Sequence, residues 1–388
     1  MSFRSRPFRV AIDVTPLMLF RTGIGLSTQG LWASLRSLPG GPELVPYALG
    51  WRTPATLPEL GAPLTSVRLP TRALLACWSR SNVVSLDRWL GDADVVHATN
   101  FVVGPSSRAT LVTVNDVSFV LDPENTNPVT RTFAPMLRRA LARGASVHVT
   151  THHVAAEVDQ VFGPGLVEAG RVGVVAYGVP ELGPPGPLGP ALASRLGGRP
   201  YVLAIGSHEP RKNLPRLVRG FAPVAAQHPE LCLVLAGAEG PDTGAVTSAI
   251  AALPGVVGRR VIVAGAVSAG ARSSLLAGAT ALAYPSLYEG FGFPPLEAMT
   301  AGVPVLAGSA GALPEVLGSA AELVDPTNEA EIAGALARVV GDEARRREVA
   351  EAGRRRAGRY TWDATARGLD ALYRSLASSG YADSHTSR

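Results

Sequence analysis

At 388 residues the chain exceeds what one hydrophobic core usually serves, at roughly 100–200 residues per domain, and implies two domains. Its hydrophobic share of 46% contains no uninterrupted apolar run of about 18 residues, which excludes a membrane-spanning helix on sequence grounds. The two cysteines, Cys77 and Cys232, exclude a disulfide framework or zinc site and read as small buried hydrophobes, while a net charge of +5 leaves nucleic acid, an anionic membrane or a phosphorylated partner open.

The opening MSFRSRPFRVAIDV passes from a basic arm into an apolar run too short for a secretory signal, so the cytoplasm is the expected compartment. Short Val-rich runs come next, at Phe8–Val14, Val95–Ala98, Leu111–Val114, Val147–Thr150 and Val172–Ala176. Runs of this length between polar breaks are the pattern of strands buried on both faces, and the helical spacing between them predicts a parallel α/β sheet. His97 and Asn100 close one run and are acceptor-side candidates, with a core histidine an equal reading of His97. Asp92-Ala-Asp94 precedes that run and reads as its entrance turn, not as a metal-holding pair.

Residues 1–180 form the first expected domain, and the Pro/Gly-rich stretch within 181–199 a linker that sustains neither helix nor central strand. The alternation restarts at Tyr201–Ile205 and continues through Leu231–Ala236, Val261–Val263, Ala281–Tyr284, Val303–Ala307 and Glu322–Val324, giving a second domain over 200–360. The fold class is therefore α/β, with two doubly wound, Rossmann-like parallel sheets facing a cleft. The basic stretch Arg345–Arg359 reads as a solvated helix face. Trp362–Ala377 has helical spacing and is expected to pack back on the first domain, with residues 378–388 frayed.

Ligands of such sheets bind beyond the carboxyl ends of the strands, so the residues just after each run carry the chemistry. After Tyr201–Ile205, Gly206 permits a sharp turn, and Asn213 ahead of Leu214-Pro215 reads as a helix N-cap. Arg211 and Lys212 then sit at a helix start, where two cations are stable chiefly beside an anion such as a diphosphate. Lys212 is the only lysine among 36 basic side chains, the rest being arginine, which marks a place where arginine does not serve. After Ala281–Tyr284, the segment Glu289-Gly-Phe-Gly-Phe-Pro-Pro-Leu-Glu297 places Glu289 in a strand-to-helix loop and Glu297 in the first turns of the helix. Two separated carboxylates suit a ligand with two sets of hydroxyls and phosphates between them, the form of a nucleotide sugar.

The Glu289–Glu297 segment resembles the signature of family-4 retaining glycosyltransferases of the GT-B architecture, and the likeness runs over nearly the whole chain. Thr22-Gly-Ile-Gly25 is similar to their N-terminal glycine loop, and Tyr201–Leu214 to their phosphate-binding strand and helix start. Gly302-Val-Pro-Val-Leu-Ala and Ala312-Leu-Pro-Glu-Val-Leu-Gly resemble the stretches C-terminal to their paired glutamates. The resemblance implies that Arg211 and Lys212 hold the donor diphosphate, Glu289 the sugar hydroxyls, Gly290, Phe291 and Gly292 the sugar or phosphate, and Glu297 the ribose. Gly23 and Gly25 would approach the phosphates. Thr113-Val-Asn115-Asp116 stands where the family usually has His followed by Asp, so Asn115 in place of His implies an altered donor, such as a 6-deoxy sugar, or reduced activity.

The implied reaction is retaining transfer of a hexosyl or deoxyhexosyl group to a glycan or lipid-linked acceptor in bacterial polysaccharide biosynthesis, of mannosyl- or rhamnosyl-transferase type, with Lys212, Arg211, Asn115 and Asp116 at the reaction centre. No metal or other cofactor is implied, nucleic acid is not an expected partner, and the basic arm Phe3–Arg9 permits peripheral contact with the inner face of an anionic membrane. The rival readings are a sugar-nucleotide epimerase of similar build and a nucleotide-sugar-binding protein with little turnover. A nicotinamide oxidoreductase and an NTPase are disfavoured, because the first strand is followed by no Gly-X-Gly-X-X-Gly and the chain has no P-loop.

Overall fold

The computed structural model describes residues 6–18, 23–51, 53, 57, 59–124, 126 and 128–385, without the side chains of 128 and 379–385. Thr22 and the first part of the basic arm, including Phe3, lie outside the described residues. The chain divides into two compact units, Met1–Gly178 with Tyr360–Arg388, and Val179–Arg359.

The first unit holds seven parallel strands: β1 (Arg9–Asp13), β2 (Glu43–Leu49), β3 (Thr65–Val67), β4 (Val95–Ala98), β5 (Ala109–Thr113), β6 (Ser146–Val149) and β7 (Val172–Val174). Their order is β3-β2-β1-β4-β5-β6-β7. The Val-rich runs of β1, β4, β5 and β6 lie in the middle, where every residue of β4 and β6 is buried, while that of β7 forms an edge and is only half-buried. Sequence patterning misses β2 and β3. Pro46 interrupts β2 opposite Ile12, where it supplies no N–H to the ladder, and β3 is only 3 residues long.

The helix Trp362–His385 belongs to this unit and runs past Ala377 into the segment expected to fray. Its seat is cut by glycines. A Cβ on Gly30 would lie 2.2 Å from the rigid Trp362 indole, so that position admits the helix only as glycine, whereas one on Gly173 would lie 2.7 Å from a Leu372 methyl and would have to push that side chain aside. Thr365 Oγ1 donates to the Ala176 carbonyl at 2.8 Å and fixes the register.

The second unit holds six parallel strands: β8 (Tyr201–Ile205), β9 (Cys232–Ala236), β10 (Val261–Gly265), β11 (Ala281–Tyr284), β12 (Val305–Gly308) and β13 (Glu322–Val324). The order is β10-β9-β8-β11-β12-β13, so direction along the sheet reverses between β8 and β11. The segment expected as a linker packs onto this unit. Gly186 N–H donates to the Gly270 carbonyl at 2.9 Å, and residues Pro190–Leu196 form a helix with Pro190 at its first turn, Gly197 left-handed after its end, and Leu192 and Leu196 buried. Proline is tolerated in a first turn, which is why its presence there did not prevent the helix.

The basic stretch is the helix Glu343–Ala357, with Arg347 and Glu343, and Arg355 and Glu351, paired one turn apart on its solvated face. Asp92 and Asp94 pair with Arg6 and Arg9 at the entrance of β4, the turn role that their position predicts. Cys232 is buried and free, whereas Cys77 is only half-buried, because the helix Thr71–Trp78 turns Leu74 and Trp78 inward instead.

Candidate active site

Beyond β8 the chain turns at Gly206, whose φ of +146° and missing Cβ leave room for the Lys212 stem; a Cβ there would sit 3.2 Å from Lys212 Cε. Residues Pro210–Lys212 form one 3-10 turn and Asn213 follows in a left-handed conformation, φ 58°, ahead of the helix Leu214–Gln227. Asn213 occupies the N-cap position but makes no side-chain cap. Its amide instead donates to the carbonyls of Pro285 at 3.0 Å and Pro326 at 2.6 Å, tying the turn to the loops after β11 and β13. That tie brings Lys212 to Glu289, 77 residues away in sequence.

Lys212 Nζ donates to Glu289 Oε1 and to the Tyr284 hydroxyl, each at 2.6 Å, and Arg211 donates to Glu289 Oε2 at 2.9 Å and to Glu209 at 2.8 Å. The side chains of Lys212 and Glu289 are 9% and 8% exposed, and Arg211 is 34% exposed, so the cluster is buried at its base and open at one cation. Burial alone would raise the Glu289 carboxyl, but Lys212 and Arg211 pull it down to about 2. Burial, with Arg211 close by, lowers the Lys212 ammonium below its usual value despite Glu289. The carboxylate gains from the pair and the lysine bears its desolvation. A cation held under such strain has most to gain from a second, stronger anion.

Gly292, φ 93°, opens the helix Phe293–Thr300. Glu297 lies on that helix, 1% exposed, paired with Arg272 of the helix Ala269–Gly278. The two carboxylates thus have different partners and do not share a proton, as their spacing implies. Gly290 and Phe291 are buried beside Glu289.

In the first unit the candidates separate. His97 lies wholly inside: Nδ1 meets the Tyr373 hydroxyl at 2.7 Å, Nε2 meets Thr113 Oγ1 at 2.8 Å, and Thr113 continues to His148 at 2.9 Å. Burial holds both imidazoles neutral, His97 well below its usual value and His148 at about 4. With both nitrogens engaged and no exposure, His97 is a core histidine, not an acceptor contact. Tyr373→Phe is expected to strand Nδ1 and cost about 1–3 kcal/mol, read as a lower melting temperature.

Asp116 commits one oxygen to Ser118, N–H at 3.0 Å and hydroxyl at 2.7 Å, and so shapes the turn into Ser118–Leu121. Asn115 accepts from the Tyr177 hydroxyl at 3.0 Å, while its Nδ2 is buried without a partner, as is Asn100 Oδ1. Gly23 and Gly25 lie in the first turn of the helix Gly23–Ser37, not in a loop, because Ser27 and Thr28 donate back to the Ile24 carbonyl and that turn is already helical.

Sequence reasoning missed Tyr284 and Gly311. Tyr284 ends a strand already identified as site-bearing, so its position was the available signal. At Gly311, φ +58°, a Cβ would lie 2.7 Å from the Glu289 carbonyl oxygen, and Ala312 N–H donates to that oxygen at 2.8 Å. Nothing in the sequence ties this glycine to Glu289.

Two parallel sheets of seven and six strands with helices are the GT-B architecture. Residues 193–356 match the model of the family Glycosyl transferases group 1. The chain is 41% identical over 105 residues to the MMP alpha-(1->4)-mannosyltransferase of Mycolicibacterium hassiacum, 26% of each chain. It is 31% identical over 164 residues to the O-antigen chain mannosyltransferase B of Escherichia coli, 42% of each chain. The match thus spans less than half the length of these relatives. Sucrose-phosphate synthase from Thermosynechococcus elongatus shares the fold at a TM-score of 0.70 and 19% identity, over 96% of this chain and 100% of that one.

Proposed function

We propose that the protein is a retaining, metal-independent glycosyltransferase that moves a hexosyl or deoxyhexosyl group from a nucleotide-diphosphate sugar to a glycan or lipid-linked acceptor. The observation that carries the reading is the Lys212–Glu289–Arg211 cluster with Tyr284, set beyond β8 and β11 where the second sheet reverses direction. Leaving of the diphosphate concentrates charge on its oxygens. Lys212 at the base and Arg211 at the rim stabilise that charge as it forms, and the start of Leu214–Gln227 adds its dipole. These cations fill the role that a divalent ion fills elsewhere.

Glu289 accepts from the sugar hydroxyls once the diphosphate competes for its cations, and Glu297 holds the ribose. Asn115, through its unpartnered Nδ2, donates to the transferred sugar. The acceptor hydroxyl attacks the face that the diphosphate leaves, and a diphosphate oxygen takes its proton, so the anomeric configuration is kept without a protein nucleophile. The names of the relatives make a mannosyl donor the first to try and polysaccharide assembly the expected setting. Among the described residues no helix is long and apolar enough to cross a membrane; the proposed place of action is the cytoplasm, at or near the inner membrane face.

A thermal-shift panel of GDP-mannose, UDP-glucose and dTDP-rhamnose tests this. A donor at 100 times its Kd stabilises the fold by about 2.7 kcal/mol, a clear rise in melting temperature. The donor that shifts the protein should be consumed in the presence of EDTA. No shift with any nucleotide overturns the reading, and turnover that requires added magnesium overturns its metal independence.

A further inference from the structure

Every strand of the second sheet runs parallel to its neighbours, so the Lys212–Glu289 cluster lies at the carboxyl edge and the strand entrances lie at the other. At that entrance edge, between the residues that lead into β11 and β12 and the helix Glu343–Ala357, is a cavity of about 410 Å³. Small-molecule sites span roughly 300–1,000 Å³. The hollow is there because its walls carry little side chain: Gly278 and Gly302 on one side, Ala350 on the other. Arg347, Ala350 and Arg354 stand three and four residues apart on one stripe of the helix, so two arginines flank the gap that the alanine leaves. Arg346 lines the same cavity.

The charges of these arginines are met unequally. Arg347 pairs with Glu343 one turn back. Glu351 is the one carboxylate among the lining residues, and it pairs with Arg355, which does not line the cavity. Arg346 meets only neutral oxygens, the Val339 and Val340 carbonyls at 3.3 and 3.0 Å. Arg354 donates to no acceptor among the described residues. Its guanidinium rests against Gly302, φ 75°, where a Cβ would fall 1.8–2.4 Å from Nη2, Cζ and Nε and would push it out of that seat. The fold thus places two guanidiniums at the cavity without giving either a counter-charge. Three lining arginines against one lining carboxylate leave two positive charges in excess, and like charges around one hollow repel. An anion from outside the chain turns that repulsion into attraction.

We propose that this cavity is a second anion site, which binds a small phosphate-bearing molecule through Arg347 and Arg354 with Arg346 adding to the positive field. A guanidinium fork matches paired phosphate oxygens, and a phosphate dianion offsets both excess charges where a carboxylate offsets one. The Thr280 hydroxyl, at the entrance of β11, is a neutral donor on the opposite wall. The site is independent of the glycosyl-transfer reading, whose cations lie at the other edge of the sheet.

Equilibrium dialysis of the full chain with inorganic phosphate tests this, at pH 8, where phosphate is a dianion, and with chloride holding the ionic strength constant. The unaltered protein retains a phosphate that persists in Lys212→Met. Arg354→Gln weakens its binding at least about tenfold, and Arg347→Gln with Arg354→Gln abolishes it. Both variants lie on an exposed helix face and keep the melting temperature in phosphate-free buffer and the thermal shift with nucleotide. Retention that is unchanged by Arg354→Gln, or lost in Lys212→Met alone, overturns the proposal. So does sedimentation with phosphatidic acid vesicles that the double variant loses while it still retains free phosphate, because the arginines then serve a lipid surface. Phosphate binding of the expected pattern without any nucleotide shift counts against the glycosyl-transfer reading and leaves this site standing.

Discussion

Lys212→Ala is expected to lower kcat by about 10²–10³-fold, the usual cost of removing one preorganised charge from a forming oxyanion. The loss should fall on kcat more than on KM for the donor, because Arg211, at the open rim, still meets the diphosphate on arrival. Lys212→Arg should not rescue it. The lysine stem passes within 3.2–3.6 Å of where a Gly206 Cβ would stand, and the ammonium ends between a tyrosine hydroxyl and a carboxylate oxygen at 2.6 Å each. A point charge fits that gap; a planar fork with five donors does not. Steady-state kinetics of the three proteins decides the matter: normal turnover by Lys212→Ala removes Lys212 from the mechanism, and normal turnover by Lys212→Arg overturns the need for a point charge there.

Glu289→Gln is expected to destabilise the fold by about 3–5 kcal/mol, since it leaves the Lys212 ammonium buried without its counter-charge. Lys212→Met should cost less, because Arg211 still pairs with Glu289. The double variant Lys212→Met with Glu289→Gln should recover much of the loss, so that denaturant melts give strongly non-additive values. The acid limb has a definite sign. Glu289 titrates at about 2 in the fold against 4.5 ordinarily, so its contribution is complete above pH 4.5 and is lost as pH falls toward 2. The stability gap between the unaltered protein and Glu289→Gln should therefore shrink over that range. A gap that stays constant or widens in acid would show that the pair does not hold Glu289 ionised.

Most strands were legible because parallel strands buried on both faces must be continuously apolar, and Val95–Ala98, Tyr201–Ile205, Ala281–Tyr284 and Glu322–Val324 fall on their runs residue for residue. β2 was not, since Pro46 reads as a break unless the neighbouring strand is known to require no N–H from it. The helix Pro190–Leu196 was lost to the same rule applied too widely: proline forbids a helix interior, not a first turn.

The sequence by itself singled out the two loops that the structure brings together, because strand ends and glycine turns are local features, and the solitary lysine stood out against the arginines everywhere else. Tertiary structure alone decided who meets whom. Lys212 and Glu289 are 77 residues apart, His97 and Tyr373 are 276 apart, and no pattern along the chain records either distance. His97 became a core residue only when the helix Trp362–His385 closed over it, and the Asp13 carboxyl was pushed up to about 6 only when its strand was buried. Both outcomes come from desolvation, which is set by what packs around a side chain and not by its neighbours in sequence.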